Sequence, residues 1–380
     1  MEEGIISPGG VGYDINCSVR LLRTGLSVDE FMKKRKDVLN ELFRNVPAGV
    51  GRGGKTNVSK PELMEVLAKG SRWAVSSGYG IEDDYRHTEE EGCMDADPAM
   101  VSERAVKRGL PQLGSLGAGN HFLEVQKIDN IFNNEKAASF GIDSKENVCI
   151  MIHCGSRGLG HQVASDYIKQ MEDKYGHEGL PDRELINAPV SSELGQNYLK
   201  AMGAAANFAF ANKQMIPHWV RDSFNKVYGD TGINVVYDVC HNIAKIENHN
   251  VDGEKKKVCV HRKGATRSFG PGREEIPEAY RKVGQPVIIP GSMGTAIYVL
   301  AGTEKAEEVS FGSTAHGAGR LGSRHEALKK YRGEGIRDEL SGKGIEIKSV
   351  SWKTLAEEAP GIYKDIDEVV KAVHQAGISK

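Results

Sequence analysis

The sequence predicts a mixed α/β fold of the α+β kind, a single interwoven domain over residues 1–380 whose strand ends carry its unusual side chains. Three observations lead there. Apolar, β-branched runs repeatedly end in glycine-rich loops bearing His or Arg, and helical patterns of ordinary length separate these runs. The candidate reactive residues spread from position 14 to 320, so they must converge from the whole chain. Length alone would suggest two or three domains, but no linker, repeat or low-complexity tract divides the sequence.

From the N-terminus, the turn-forming Pro8-Gly9-Gly10-Val11-Gly12 leads into Tyr13-Asp14-Ile15-Asn16-Cys17-Ser18-Val19-Arg20, whose alternation predicts a strand with Asp14 and Cys17 at its edge. Ser27 predicts an N-cap for a helix through about Phe43, and Pro61 opens a second helix over Lys60 to Lys69. Residues 81–97 are acidic and irregular. The strand-then-loop pattern then recurs at Val148–Ile152 before His153-Cys154-Gly155-Ser156-Arg157-Gly158, and at Ile233–Val239 before Cys240-His241-Asn242. It returns at Val258–Val260 before His261-Arg262-Lys263-Gly264, and at Pro286–Ile289 before Pro290-Gly291-Ser292-Met293-Gly294. Residues 191–226 read as helical with Met202–Ala211 buried, and the stretch after Arg320 as charged surface helices.

The net charge of −2 creates no bulk positive field, so any polyanion must be held by local Arg and Lys patches. Six cysteines without framework spacing, no signal peptide and no apolar run of transmembrane length predict a reducing, cytoplasmic setting away from membranes. The 45 glycines cluster beside His, Arg, Ser and Asn, as expected where backbone approaches a ligand. Gly49 to Thr56 satisfies the G-x-x-x-x-G-K-[ST] pattern, yet a helix end precedes it and Asn57-Val58-Ser59 delays the next helix. A P-loop needs strand and helix immediately on either side and is rejected here; a basic loop touching phosphate and an ordinary mobile loop remain.

Asp14 and Cys17, with His121, His153 and His241, make a set of one carboxylate, one thiolate able to bridge and three imidazoles. Singly, each reads as well as a packed or hydrogen-bonded structural residue. Together they suffice for two ions and suit Mn²⁺ or Zn²⁺ better than Mg²⁺, and they lack the paired knuckles of a structural zinc site. Paired divalent ions favour phosphorus chemistry.

Ser313-Thr314-Ala315-His316-Gly317-Ala318-Gly319-Arg320 places a histidine in a tight glycine turn, where backbone N–H groups cradle an anion and Arg320 can pair with it. A neutral imidazole there can attack a nucleoside triphosphate; a merely structural turn is the plainer alternative. Gly155 to Gly158, His261 to Arg267 and Lys107-Arg108-Gly109 are further phosphate-suited pieces, each equally a solvated loop when taken alone. In Gly117 to Glu124, alternation puts Phe122 and Glu124 on one face and His121 on the other. A ring beside a carboxylate suits guanine, which offers two adjacent donors where adenine does not; a core Phe with a salt-bridged Glu fits the pattern as well.

Taken together, Gly9 to Cys17, Gly117 to Glu124, Ile152 to His161, Asp238 to Asn242, Pro290 to Thr295 and His316 to Arg320 closely resemble the motifs of the RtcB family of RNA-splicing ligases, in the same order and over essentially the whole chain. The resemblance implies the family's own α/β fold. It also implies joining of 2′,3′-cyclic phosphate or 3′-phosphate RNA ends to 5′-hydroxyl ends, in tRNA splicing or RNA repair, with GTP and two Mn²⁺ ions and with His316 carrying GMP. By motif match Asp14, Cys17, His121, His153 and His241 would bind the metals, with Cys17 bridging. Asn120, His121, Phe122, Leu123, Glu124, His241, Asn242, Pro290, Gly291, Ser292, Met293, His316, Gly317, Ala318, Gly319 and Tyr363 would line the GTP site. Arg108, Gln112 and Arg157 would hold RNA phosphates, the RNA being broken or intron-excised tRNA halves, and an archease-type activator is a candidate partner.

Three features depart from the family pattern. Thirteen residues precede Asp14, the chain stops at Lys380 where a last basic strand is usual, and Ile297 stands where a nucleotide-contacting serine is common. A fragment lacking the N-terminal segment and last strand is therefore expected. The competing readings are a metal-dependent phosphodiesterase that processes RNA ends without nucleotide transfer, and an idle RNA-binding fragment.

Overall fold

A computed structural model describes residues 4–49 and 53–380. Its frame is a four-stranded antiparallel sheet of Ser18–Ser27 (β1), Phe122–Lys127 (β2), Asn147–Cys154 (β3) and Asn234–Cys240 (β4), in the order β2-β3-β1-β4. Ser18 lies opposite Cys154 on one side and Cys240 on the other, and Phe122 opposite His153. Antiparallel pairing in this register brings the starts of β1 and β2 and the ends of β3 and β4 to one edge of the sheet.

Alternation along these strands supplies two apolar faces. Leu22, Ile150, Ile152 and Val235 pack against the helix Val28–Asn45 (α1) and the later turns of a long helix, through Val38, Leu42, Ile216, Val220 and Phe224. Val19, Leu21, Met151 and Val239 face Phe269, Tyr280 and Ile288. Ser27 caps α1 with a reciprocal bond to Glu30, as its sequence predicts. A second capped helix, Lys60–Lys69 (α2), follows, and Arg157–Tyr175 (α3) leaves directly from the sheet edge after β3. The long helix Glu193–Tyr228 (α4) buries Met202–Ala211 completely, in agreement with the sequence, and crosses behind the sheet.

Beyond the sheet, Asn242–Val251 (β5) and Glu254–Lys263 (β6) form a two-stranded ribbon. Ala265–Arg267 (β7) pairs with Ser313–Ala315 (β10), and Pro286–Pro290 (β8) with Ile297–Ala301 (β9). Short helices Arg324–Lys330, Gly333–Gly342, Trp352–Glu357 and Ile366–Gln375 complete the C-terminal part. With 45% helix and 21% strand and no alternating β-α order around the sheet, the fold is α+β.

Several sequence expectations shift. The strand expected from Tyr13 begins at Ser18: Pro8–Val11 is a helical turn, Cys17 N–H donates to the Asp14 carbonyl, and Asn16 is left-handed at φ 53°. Residues 81–97 contain the short helix Glu82–Arg86 and a 3₁₀ turn Glu89–Gly92, because Asp84 and Glu89 are buried against basic partners rather than solvated. His153, His261 and Arg262 lie within strands instead of loops. Of the P-loop-like segment, residues 50–52 lie outside the described residues; around it α1 ends at Asn45 and α2 starts at Lys60, and Lys55 donates to the Asn45 side chain at 2.6 Å. A helix on the upstream side removes the strand that the phosphate loop requires. Among the described residues no helix is long and apolar enough to cross a membrane.

Candidate metal centre and phosphate site

The shared sheet edge gathers the five predicted donors. Asp14 and Cys17 sit in the turn before β1, His121 immediately before β2, His153 near the end of β3 and His241 just after β4. His241 N–H donates to the Cys17 carbonyl at 2.9 Å, which ties the two loops together. The side chains form two triads, Asp14–Cys17–His121 and Cys17–His153–His241, with the donor atoms of each within 4.8 Å of one another. Cys17 belongs to both. Its Sγ lies 3.5 Å from His121 Nε2 and 3.2 Å from His153 Nε2, and His153 Nε2 faces His241 Nε2 at 3.2 Å.

Burial, the nearby histidines and Lys213 push His241 well below the ordinary imidazole range, and burial with the charges of His121 and His316 takes His153 down to about 3. Both rings are therefore neutral, with their Nε2 atoms facing one another. Burial opposes the charge on Asp14, yet His121, 2.8 Å away, holds it well below the usual carboxylate range. Burial and the Asp14 carboxylate push the Cys17 thiol up. Each triad brings its three donor atoms within 4.8 Å of one another, a mixed set of imidazole nitrogen, sulfur and carboxylate oxygen that suits a divalent cation, and such a cation ionises a coordinating thiol. The residues present fit a pair of such ions.

Support for the donors comes from groups that sequence reading missed. Ser156 Oγ donates to Asp14 Oδ1 at 3.3 Å, and a Cβ on Gly155 would stand 2.5 Å from Asp14 Oδ2, so the glycine makes room for the carboxylate. His121 Nδ1 meets the Leu116 carbonyl at 3.1 Å, which fixes its ring. Behind the edge, Asp238 accepts from Ser18 Oγ at 2.8 Å, Arg20 Nε at 2.7 Å and Lys213 Nζ at 2.8 Å, all fully buried. Lys213 also contacts Ser18 and reaches Asn16 Oδ1 at 3.4 Å, while Asn16 Nδ2 donates to the Ala206 carbonyl. The strand register that places Arg20 opposite Asp238 was the available signal, but Lys213 comes from a distant helix.

His316 follows β10 and is half-buried, with its ring centroid 4.7 Å from that of His241. Burial lowers its basicity, opposed by a hydrogen bond to the Gly264 backbone. Gly264 lies against the ring, where a Cβ would stand 3.4 Å from Cε1. Ala318 N–H donates to the Pro290 carbonyl at 3.0 Å, which seats the His316–Gly319 turn on the loop Pro290–Met293. Lys364 N–H donates to the Gly319 carbonyl at 3.0 Å, bringing Tyr363 alongside. Met293 packs into the apolar cluster of Ile336, Leu340 and Leu355.

A cleft of about 1500 Å³ opens past Gly117–Gly119, His121, Phe122, Leu123 and Glu124, with Met293 and Glu358 on the far wall. Burial pushes Glu124 up, opposed by the amide of Gln126, which donates to one carboxylate oxygen at 2.8 Å. Phe122 stands edge-on to His153 with centroids 5.4 Å apart. Arg324 Nη2 reaches Asn120 Oδ1 at 3.4 Å and its Nε reaches Glu358 at 3.0 Å, linking the two walls. Asn242 Nδ2 donates to the Asp14 carbonyl at 3.1 Å, which fixes its side chain beside the donors.

Other predicted anion contacts are corrected by their neighbours. Arg320 does not point free into the turn: it donates to Glu358 Oε2 at 2.9 Å, to the Tyr363 hydroxyl at 3.0 Å and to the Glu357 and Gly322 carbonyls. Arg262 is buried against Glu247, and Arg267 against Glu89 and Glu90, so both are structural cations. His261 accepts from Ser7 N–H at 3.1 Å. Gln112 Oε1 accepts from Gly158 N–H at 2.8 Å and Arg108 donates to Gln162 Oε1 at 3.0 Å, while the Arg157 guanidinium turns toward the Ser115 hydroxyl at 3.5 Å and Gly117.

Five donors at one sheet edge, beside a histidine in a glycine turn, define an α+β protein with a candidate two-metal centre and an adjoining phosphate site. The sequence profile described as tRNA-splicing ligase RtcB matches residues 1–380, and the chain belongs to that family. Proteins named tRNA-splicing ligase RtcB are 56% identical in Thermococcus kodakarensis and 55% in Archaeoglobus fulgidus, each over all of this chain and 80% of the relative. The protein of that name from Pyrobaculum aerophilum is 52% identical over the same shares.

Proposed function

We propose that the protein is a GTP- and Mn²⁺-dependent RNA ligase that joins 2′,3′-cyclic phosphate or 3′-phosphate ends to 5′-hydroxyl ends through a guanylylated His316. The observation that carries this reading is the placement of a neutral His316 imidazole against His241, one member of two donor triads that share Cys17. Asp14, Cys17 and His121 would hold one ion and Cys17, His153 and His241 the other. Two bound divalent ions neutralise charge on phosphate oxygens.

The free ring nitrogen of His316 attacks the α-phosphorus of GTP; a P–N bond forms, the bond to the bridging oxygen breaks, and pyrophosphate leaves. A cyclic RNA end is first opened by water to a 3′-phosphate. An oxygen of that phosphate then takes GMP from His316, which regains its neutral ring. The 5′-hydroxyl attacks the activated 3′-phosphorus, loses its proton and displaces GMP. Glu124 accepts from N1–H and the N2 amine of guanine, with the Gln126 amide orienting its carboxylate and Phe122 as the neighbouring wall. The backbone of Pro290–Met293 and His316–Gly319, with Asn120, Leu123, Asn242 and Tyr363, frames the nucleotide. Arg108, Gln112 and Arg157 hold RNA phosphates, and the names of the relatives point to tRNA halves as the RNA.

The test is incubation of the protein and of His316→Ala with Mn²⁺ and GTP labelled at the α-phosphate, followed by a denaturing gel. Acid-labile label on the parent and none on the variant is the expected result. No label on a metal-loaded parent would sink the ligase reading in favour of a phosphodiesterase.

A further inference from the structure

The β5–β6 ribbon extends outward from the centre, and beyond Asn242 it plays no part in the chemistry above. β5 starts immediately after His241, and β6 ends at Lys263, beside Gly264, which lies against the His316 ring. The ribbon turns at Asp252 and Gly253, with φ 55° and 83°, the left-handed pair that a tight two-residue hairpin needs. Its inner half is anchored: Ile246 and Cys259 pack on the helical core, while Glu247, His249 and Arg262 gather near Phe269.

Its outer half is different. Asn248 pairs with Lys257 and Asn250 with Lys255, so these four exposed side chains share one face. Among the described residues none of the four side chains makes a hydrogen bond or ion pair, whereas Lys256 on the opposite face meets Glu254 at 3.5 Å. At ~3.4 Å per residue, the two lysines stand roughly 7 Å apart and the patch lies roughly 25–30 Å from His241. A protein whose net charge is −2 thus presents an uncompensated cationic face at the end of an arm rooted in its reaction centre.

We propose that this face docks the double-stranded stem of the RNA whose ends meet at His316, a reading that rests on the ligase function proposed above. Double-stranded RNA is recognised through its phosphates and 2′-hydroxyls rather than its base edges. Lys255 and Lys257 pair with phosphates, and Asn248 and Asn250, which both donate and accept, reach 2′-hydroxyls and phosphate oxygens. The patch has no aromatic or aliphatic side chain at its middle, which the core of a protein–protein interface would supply.

The test measures affinity by fluorescence anisotropy for two RNAs with the same 3′-phosphate end, a short single strand and a hairpin with a stem of roughly 16 base pairs. The full chain is compared with Lys255→Glu/Lys257→Glu and with Asn248→Ala/Asn250→Ala. Charge reversal is expected to weaken the stem RNA roughly tenfold and to lower the slope of log K against log salt by about 2, leaving the short strand and the melting temperature unchanged. The asparagine pair is expected to weaken the stem RNA by a smaller factor at unchanged salt slope. Unaltered stem binding in both variants would overturn the proposal and leave an acidic protein as the partner; equal weakening of both RNAs would overturn it in favour of a general charge effect. If the parent binds neither RNA, the ligase reading itself falls, an outcome distinct from loss of the docking face alone.

Discussion

Around Asp14 and Cys17 the supporting groups are buried and paired: Asn16, Ser18, Arg20, Lys213 and Asp238 are all fully excluded from solvent. The wall made by Gly291–Met293, His316–Gly317 and Tyr363 is half-buried and assembled from two short strand pairs and their loops. The edge that carries Asp14 and Cys17 is therefore positioned by one sheet and one helix. The half-buried wall depends on a few exchangeable contacts, such as Arg320 with Glu358 and Tyr363. Changes behind the donors should act on folding and metal binding, and changes in the wall on nucleotide affinity with little effect on stability.

The largest effect is expected at Asp238. Asp238→Ala leaves Lys213 and Arg20 as buried cations without their carboxylate, which costs about 3–5 kcal/mol and should show as a large drop in denaturation midpoint. Burial opposes its ionisation, but Lys213 and Arg20 hold its folded pKa below the ordinary value. Its contribution is therefore complete above about pH 4, the unfolded range, and drains away as pH falls through the folded value, so the parent should lose stability on acidification more steeply than the variant. A variant as stable as the parent would show that the buried pairing does not hold the edge.

Next in size is Gly155→Ala. The added methyl would meet Asp14 Oδ1 and Oδ2 at 2.6 and 2.5 Å, and the carboxylate has to turn away. Only the Asp14–Cys17–His121 triad uses Asp14, so bound metal should fall from two equivalents toward one, measured by elemental analysis after dialysis, with a small shift in melting temperature. Retention of both ions would break the assignment of Asp14 as a donor.

The five donors were legible because each sits next to a strand boundary that the sequence marks with a β-branched run and glycines, and strand boundaries are set by local pattern. The boundaries themselves were less so: Asp14 lies in a turn and not a strand because Asn16 takes a left-handed backbone that periodicity does not reveal. Arg262, Arg267 and Arg320 were read as anion-binding because a basic residue in a glycine-rich stretch looks free until its acidic partner is known. Glu247 reaches Arg262 across the β5–β6 hairpin, and Glu89 and Glu358 reach Arg267 and Arg320 across the fold, contacts that no local window contains. The same reason hid Lys213, which looks like one more polar residue on a helix until α4 is laid behind the sheet.

The smallest effect separates the two regions most sharply. Tyr363 donates its hydroxyl to Glu358 and accepts from Arg320, and burial together with the Glu358 carboxylate raises its pKa above the ordinary range, so it is a neutral hydrogen-bonding group at working pH. Tyr363→Phe keeps the ring under the Arg320 guanidinium, 5.0 Å from its centroid, and leaves Arg320 paired with Glu358. The two hydrogen bonds lost at this half-buried position are worth about 0.5–1.5 kcal/mol each. If the wall serves GTP, that loss should appear as a KM for GTP raised several-fold with kcat and bound metal unchanged. If Tyr363 merely braces the C-terminal helices, the same energy will leave KM untouched and appear as a lower melting temperature, and the division of labour between edge and wall will have to be redrawn at this residue.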